Sequence, residues 1–259
     1  MFSDASPLKS RFLAAGIHLA ISLAIAVIAA LLVFGVWYPY PYSDISGGRS
    51  LFLLVVSVDV VMGPLLTLAV FNRRKPMKEL RRDLFLIGVL QLAALGYGLW
   101  TVAVARPVHL VFEFDRFRVV HAIDVPDELV GKAPPELRTL PLTGPTLLSV
   151  REFKSAAEGS DATLAALQGV SLASRPDLWQ AYETAKPQVL ARSRPVDDLK
   201  KRFPARTAEI DAALKNARAS GGNDRKIAYL PMVSRSTFWT AFIDANTAEV
   251  IAFVPIDSF

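Results

Sequence analysis

Three long apolar runs occupy the first 105 residues. Phe12–Trp37 is interrupted only by His18 and Ser22, and Leu51–Phe71 and Leu84–Ala105 follow after polar stretches. Each reaches the roughly 20 residues that a helix needs to cross a hydrocarbon core. LAIAVIAA in the first run has the small-residue spacing of a signal peptide. The run is too long for a signal's apolar region, however, and two further runs follow, so it reads as a retained helix.

The basic residues give these spans a direction. The 72–83 loop, NRRKPMKELRRD, carries Arg73, Arg74, Lys75, Lys78, Arg81 and Arg82, and the N-terminal tail carries Lys9 and Arg11. The loop YPYPYSDISGGRS has only Arg49. Lys and Arg collect on the cytoplasmic side. The tail and the 72–83 loop are therefore expected in the cytoplasm, and the chain after Arg106 on the far side of a bacterial inner membrane, in the periplasm. Trp37, Tyr38, Tyr40 and Tyr42 suit the outer interface, where aromatic rings sit among lipid headgroups.

Charge also narrows the function. Residues 1–105 hold nine Lys/Arg and five Asp/Glu, whereas residues 106–259 hold twenty and nineteen. The basic excess belongs to the membrane half, so the second half lacks the positive surface of a nucleic-acid-binding domain. With no cysteine in the chain, disulfides, thiolate metal sites and cysteine nucleophiles are excluded.

Residues 106–259 are enough for one domain with its own core. VHLVFEF (108–114) and FRVVHAI (117–123) read as two strands around a turn at Asp115-Arg116. Residues 125–147 read as loop, and about 150–219 as short helices. Asp161, Pro176 and Pro195 are suited to helix starts, and Gly221-Gly222-Asn223 to a helix end. KIAYLPMVS, TFWTAFID and AEVIAFVPI form an antiparallel β-meander, with turns at Arg235-Ser236 and Asn246-Thr247. The expected architecture is three transmembrane helices (residues 1–105) followed by an α+β domain (residues 106–259) with strands at both ends that pair in one sheet.

Catalytic constellations are sparse. His109 and His121 lie on separate strands of the first hairpin, but no third metal ligand is fixed by spacing, and both read as ordinary strand residues. The chain has no G-x-S-x-G, no phosphate-cradling loop and no H-E-x-x-H. No catalytic, cofactor or metal site is assigned.

The unusual chemistry lies in the spans. An ionised side chain at a helix centre costs ~2.5–3.5 kcal/mol on translocon scales, yet SVDVVMGPLLT holds Asp59. Asp59, Gly63 and Thr67 share one side of the second span, Ala14, His18 and Ser22 one side of the first, and Gln91, Ala94 and Gly98 one side of the third. Counted from the ends of the apolar runs, Tyr97 lies level with Asp59 and is its expected partner, while His18 and Gln91 lie level with each other. Pro64 removes a backbone donor and should free the Val60 carbonyl and bend the helix near Gly63. Such small-and-polar stripes either hold the three helices together or leave a dock for a helix from a partner.

Several stretches resemble the type IV pilin accessory proteins of the TfpX/TfpZ type: RFLAAGIHLAISL, VDVVMGPLLTLAVF, DLFLIGVLQLAALGYG, RPVHLVF, RPDLWQAY, ARSRP and YLPMVSR…FIDANTAEVIAFVPID. The likeness is densest around Asp-x-x-x-Gly-Pro-Leu-Leu-Thr-Leu and weakest over residues 125–160. It implies an inner-membrane, chaperone-like factor that assists the type IV pilin subunit, with no enzymatic activity and no cofactor. The chain lacks the Gly-Phe-Thr-Leu-x-Glu opening of a pilin precursor, so it is not itself read as a pilin. Its implied partners are the pilin and membrane lipid, not nucleic acid. On that reading Asp59, Gly63, Pro64, Thr67, His18, Gln91 and Tyr97 shape an intramembrane site for the partner helix. Arg175, Tyr182 and Arg235 contact the pilin head, since Tyr and Arg are enriched in binding hot spots; Trp179 is assigned to the core and Arg175 to the surface. The alternative is a membrane-anchored periplasmic ligand-binding or sensor protein, against which the short cytoplasmic loop counts.

Overall fold

The computed structural model describes residues 7–219, 225–235 and 237–259. The expected helix stop at Gly221-Gly222-Asn223, and Ser236 of the first meander turn, lie outside the described residues. The chain divides into two compact units, Met1–Ala105 and Arg106–Phe259.

The first unit is helical. Helix α1 (Pro7–Leu32) runs on into a π turn at Val33–Trp37, and a short α2 (Tyr42–Ile45) precedes α3 (Gly48–Ser57). A second π turn, Val58–Met62, joins α3 to α4 (Gly63–Val70), and α5 (Met77–Val104) closes the unit. Three stretches among the described residues are long and apolar enough to cross a membrane: Leu8–Trp37, Gly48–Val70 and Met77–Val104. The α3–α4 helix is central, with α1 and α5 both packed along it. At one end Tyr38 is fully buried and its hydroxyl donates to the Val102 carbonyl at 3.0 Å, while Phe34 meets Phe52 edge to face at 5.0 Å. Tyr38 and Tyr42 thus pack inside the unit, unlike the exposed Tyr40. An amphipathic ring serves either place once its hydroxyl finds an acceptor.

The second unit is α+β. The hairpin β1 (Pro107–Glu113) and β2 (Arg116–His121) is followed by α6 (Asp127–Val130), β3 (Thr146–Val150) and α7 (Ala156–Leu167). Next come β4 (Trp179–Ala181), α8 (Tyr182–Arg192), β5 (Arg194–Pro195), α9 (Val196–Arg202) and α10 (Thr207–Ala219). The meander β6 (Ile227–Val233), β7 (Phe238–Asp244) and β8 (Val250–Val254) ends the unit. Among the described residues one sheet runs β4-β3-β1-β2-β6-β7-β8, with β5 also on β6.

The meander is antiparallel as expected, and the strands at the two ends of the unit share one sheet. The sheet as a whole is mixed, because β3 pairs β1 and β6 pairs β2 in parallel. Strand β3 straddles the end of the stretch read as loop, and β4 falls in the stretch read as helix. Helix α7 starts at Ser155 rather than Asp161: the Ser155 hydroxyl accepts from the Glu158 amide at 3.2 Å, as an N-cap must to satisfy a free donor. Pro231, which has no amide to donate, falls in β6 between its stretches paired with β5 and with β2, where a missing donor costs least.

Apolar clusters among the described residues hold this unit. One gathers Val108, Val111, Val120, Leu148, Leu178 and Trp179. Another joins Leu199, Ile210 and Leu214 to Tyr229, Phe242 and Ile256, seating α9 and α10 on the meander.

Candidate functional site

Pro64 explains the geometry around Asp59. In the π register of Val58–Met62 a carbonyl looks for an amide five residues on. For Asp59 that residue is Pro64, which has none. In this register the carbonyl that Pro64 leaves without a main-chain donor is that of Asp59, where the sequence pointed to Val60. It is met from α5: Gln91 Nε2 donates to the Asp59 carbonyl and to its Oδ1, each at 3.0 Å. Gly63 permits this, because a Cβ there would fall on the Gln91 carboxamide. On the other side His18 Nδ1 lies 2.6 Å from Thr67 Oγ1, tying α1 to α4.

Asp59, Gly63, Thr67 and Ser22 are buried, whereas His18 and Gln91 are half-buried. The polar stripes of the first and second spans face inward. On α5 Gln91 and Gly98 follow, Gly98 lying tight against Val55, but Ala94 is exposed. Tyr97 is not the partner of Asp59. It is 70% exposed, with its ring 5.7 Å from that of Trp100. Where an antiparallel helix pair turns sets which residues meet. Asp59 and Gln91 lie equally far along the chain from Lys75, in the 71–76 turn, and so come level; the ends of the apolar runs mislead.

In the second unit two of the three expected contact residues are structural. Tyr182 is 5% exposed, its hydroxyl donates to the Ala248 carbonyl at 2.6 Å, and burial pushes its phenol pKa up. Arg175 is held by Asp177 at 2.8 and 3.2 Å, with its side chain 12% exposed. Its charge is used within the unit, so it does not stand free on the surface. Trp179 is in the core. Arg235 does reach solvent, and its Nη2 donates to Asp124 Oδ1 at 2.7 Å.

Asp124 also accepts from His121 Nδ1 at 3.0 Å. A carboxylate only accepts, so Nδ1 carries the hydrogen. This cluster joins residues far apart in sequence, and no local pattern announces it. His109, 2% exposed, lies with Nδ1 2.7 Å from Thr146 Oγ1, and burial pushes its pKa down to about 4. Among the described residues no group of three or more His, Cys, Asp or Glu is placed to hold a metal.

The Asp124 cluster carries a pH prediction. Burial opposes ionisation, but hydrogen bonds from His121 and Arg235 outweigh it and hold the carboxyl at about 2. The unfolded value is ~3.9. Because the folded value is the lower, the stabilisation is complete well above pH ~4 and drains away as pH falls through about 2. With Asp124 and Arg235 33% and 52% exposed, solvent screening trims it to about 1 kcal/mol. Asp124→Asn is expected to lower the unfolding midpoint of this unit at pH 7. The wild-type and variant midpoints should converge toward pH 2 in thermal melts.

Comparison with known proteins places these features. The family model for the fimbrial assembly protein FimB matches residues 6–47. The fimbrial assembly protein of Dichelobacter nodosus serogroup I is 38% identical over 97% of this chain and 98% of its own length. That of serogroup E1 is 37% identical over the same shares. No solved structure matches the chain. Near-complete coverage in both directions, at this identity, extends the likeness through both units: the chain belongs to the fimbrial assembly protein FimB family.

Proposed function

We propose that the chain is an inner-membrane accessory factor for the type IV pilin subunit, of the TfpX/TfpZ type, which acts in a chaperone-like way and catalyses no reaction. The full-length similarity to fimbrial assembly proteins is the observation that carries this reading. The N-terminal tail and the 72–83 loop lie in the cytoplasm and residues 106–259 in the periplasm, as the basic residues direct. Lipid is the neighbour of the outward Leu, Val, Ile and Phe side chains.

The geometry favours internal glue for the polar stripe. Asp59, Gly63 and Thr67 are buried, and Gln91 and His18 of the same chain already occupy the notch. A pilin helix is then met on an outer face, such as that of Ala94. The pilin head is met by the periplasmic unit, where Arg235 is exposed.

Photocrosslinking in cells that make the cognate pilin tests this. Probes replace Ala94 and Arg235, with buried Thr67 as the control. Pilin adducts are expected from the exposed positions and not from Thr67. Stable expression with no pilin adduct at Ala94 or Arg235 would overturn direct contact with pilin. An adduct at Thr67 would reopen the stripe as the dock.

A further inference from the structure

A cavity of about 640 Å³ opens between β5, α9, the end of α10 and the start of β6. Its volume lies within the range of small-ligand sites. Val196, Leu214 and Ile227 give it an apolar wall. Among the described residues five cations line it, Arg194, Lys200, Arg218, Arg225 and Lys226, against one lining carboxylate, Asp197.

Two of the five are already engaged. Lys200 pairs with Asp211 at 2.5 Å, and Arg225 with Asp244 at 2.8 Å and Glu249 at 3.0 Å. Asp244 is itself fixed, since its Oδ1 accepts from the Asn246 and Thr247 amides at 2.8 and 3.0 Å. That leaves Arg194, Arg218 and Lys226, all exposed and without an ion pair among the described residues. The unit around them is close to neutral, with twenty basic and nineteen acidic residues over 106–259. A general basic excess therefore does not explain three such cations around one concavity. Like charges so placed repel, and an anion between them relieves the repulsion.

We propose that this cavity is an anion-binding site. It takes a small ligand that carries a carboxylate or phosphate group. Arg194 and Arg218 engage the oxyanion through the planar guanidinium fork that matches it, Lys226 adds a point charge, and the apolar wall receives the body of the ligand. The proposal is independent of contact with pilin.

The test is calorimetric titration of the full-length protein in neutral detergent micelles at ~0.1 M salt. Inorganic phosphate and citrate are the two probes. Saturable binding of at least one is expected, weakened about tenfold or more by the double substitution Arg194→Ala/Arg218→Ala. Lys215→Ala, an exposed cation on α10 that does not line the cavity, should leave it unchanged. The probe that saturates identifies the anion class. No saturable binding of either probe, or equal weakening by Lys215→Ala, would overturn the proposal. Because Arg194 and Arg218 are exposed, their loss should not disturb folding, and matching melts of the double variant and wild type check this.

Discussion

Gly63→Val should destabilise the helical unit far more than Gly16→Val or Gly88→Val. Any Cβ at Gly63 falls on the Gln91 carboxamide, and the colliding group is held in place by its two bonds to Asp59. Either α4 and α5 separate, or Gln91 swings away and leaves the buried Asp59 carboxyl group and a proline-orphaned carbonyl without their donor. Overpacking typically costs ~1–3 kcal/mol. An interhelical hydrogen bond in a membrane adds ~0.6–1.7 kcal/mol. The combined loss is about 2–4 kcal/mol, enough to lower the amount of integrated protein several-fold. Gly16 and Gly88 are matched controls, since neither has an atom within 4 Å of its would-be Cβ. All three changes carry a similar change in helix propensity, so the excess at Gly63 reports the close approach together with the crowding that a β-branched residue meets before Pro64. Detergent unfolding and steady-state levels in membranes give the comparison. Equal behaviour of the three variants would remove the Gly63–Gln91 contact as a source of stability.

The same residues mark what a sequence can and cannot tell. Apolar runs announce spans because length against bilayer thickness is a one-dimensional property, and small or polar residues at helical spacing announce which faces are special. Pairing across helices is not one-dimensional. It depends on where the 71–76 turn falls and on the extra residue that a π turn inserts, so Gln91, not Tyr97, reaches Asp59. The α+β unit repeats the lesson. Alternation made the first hairpin and the meander legible. The parallel pairings of β3 with β1 and of β6 with β2 join distant segments, and β4 is three residues long, too short for periodicity to register. Composition likewise offered Tyr182 and Arg175 as contact residues. Aromatic and Arg side chains anchor cores as readily as interfaces, and only the acceptors Ala248 and Asp177 decide between those roles.

Trp179→Ala is expected to cost about 3–5 kcal/mol, the usual range for truncating a large buried aromatic. Trp179 is 1% exposed, opens β4, and donates from Nε1 to the Ala173 carbonyl at 2.8 Å. Its ring meets His109 edge to face at 4.6 Å. At ~2–4 °C per kcal/mol for a domain of this size, the midpoint should fall by roughly 10 °C. Trp179→Phe keeps most of the apolar volume but loses the donor, and should cost about 1–2 kcal/mol.

A second readout separates this truncation from a generic loss of packing. Burial depresses His109 from 6.5 to about 4, so between those values the unfolded chain binds more protons than the folded one. Stability therefore rises with pH across that window and declines as pH falls through it. Removing the indole admits water beside the imidazole and relaxes the depression. In Trp179→Ala the His109 titration, followed by NMR, should move up toward 6.5, and the decline in stability below that pH should flatten. A variant that loses stability while His109 still titrates near 4 would show that Trp179 does not shield the imidazole.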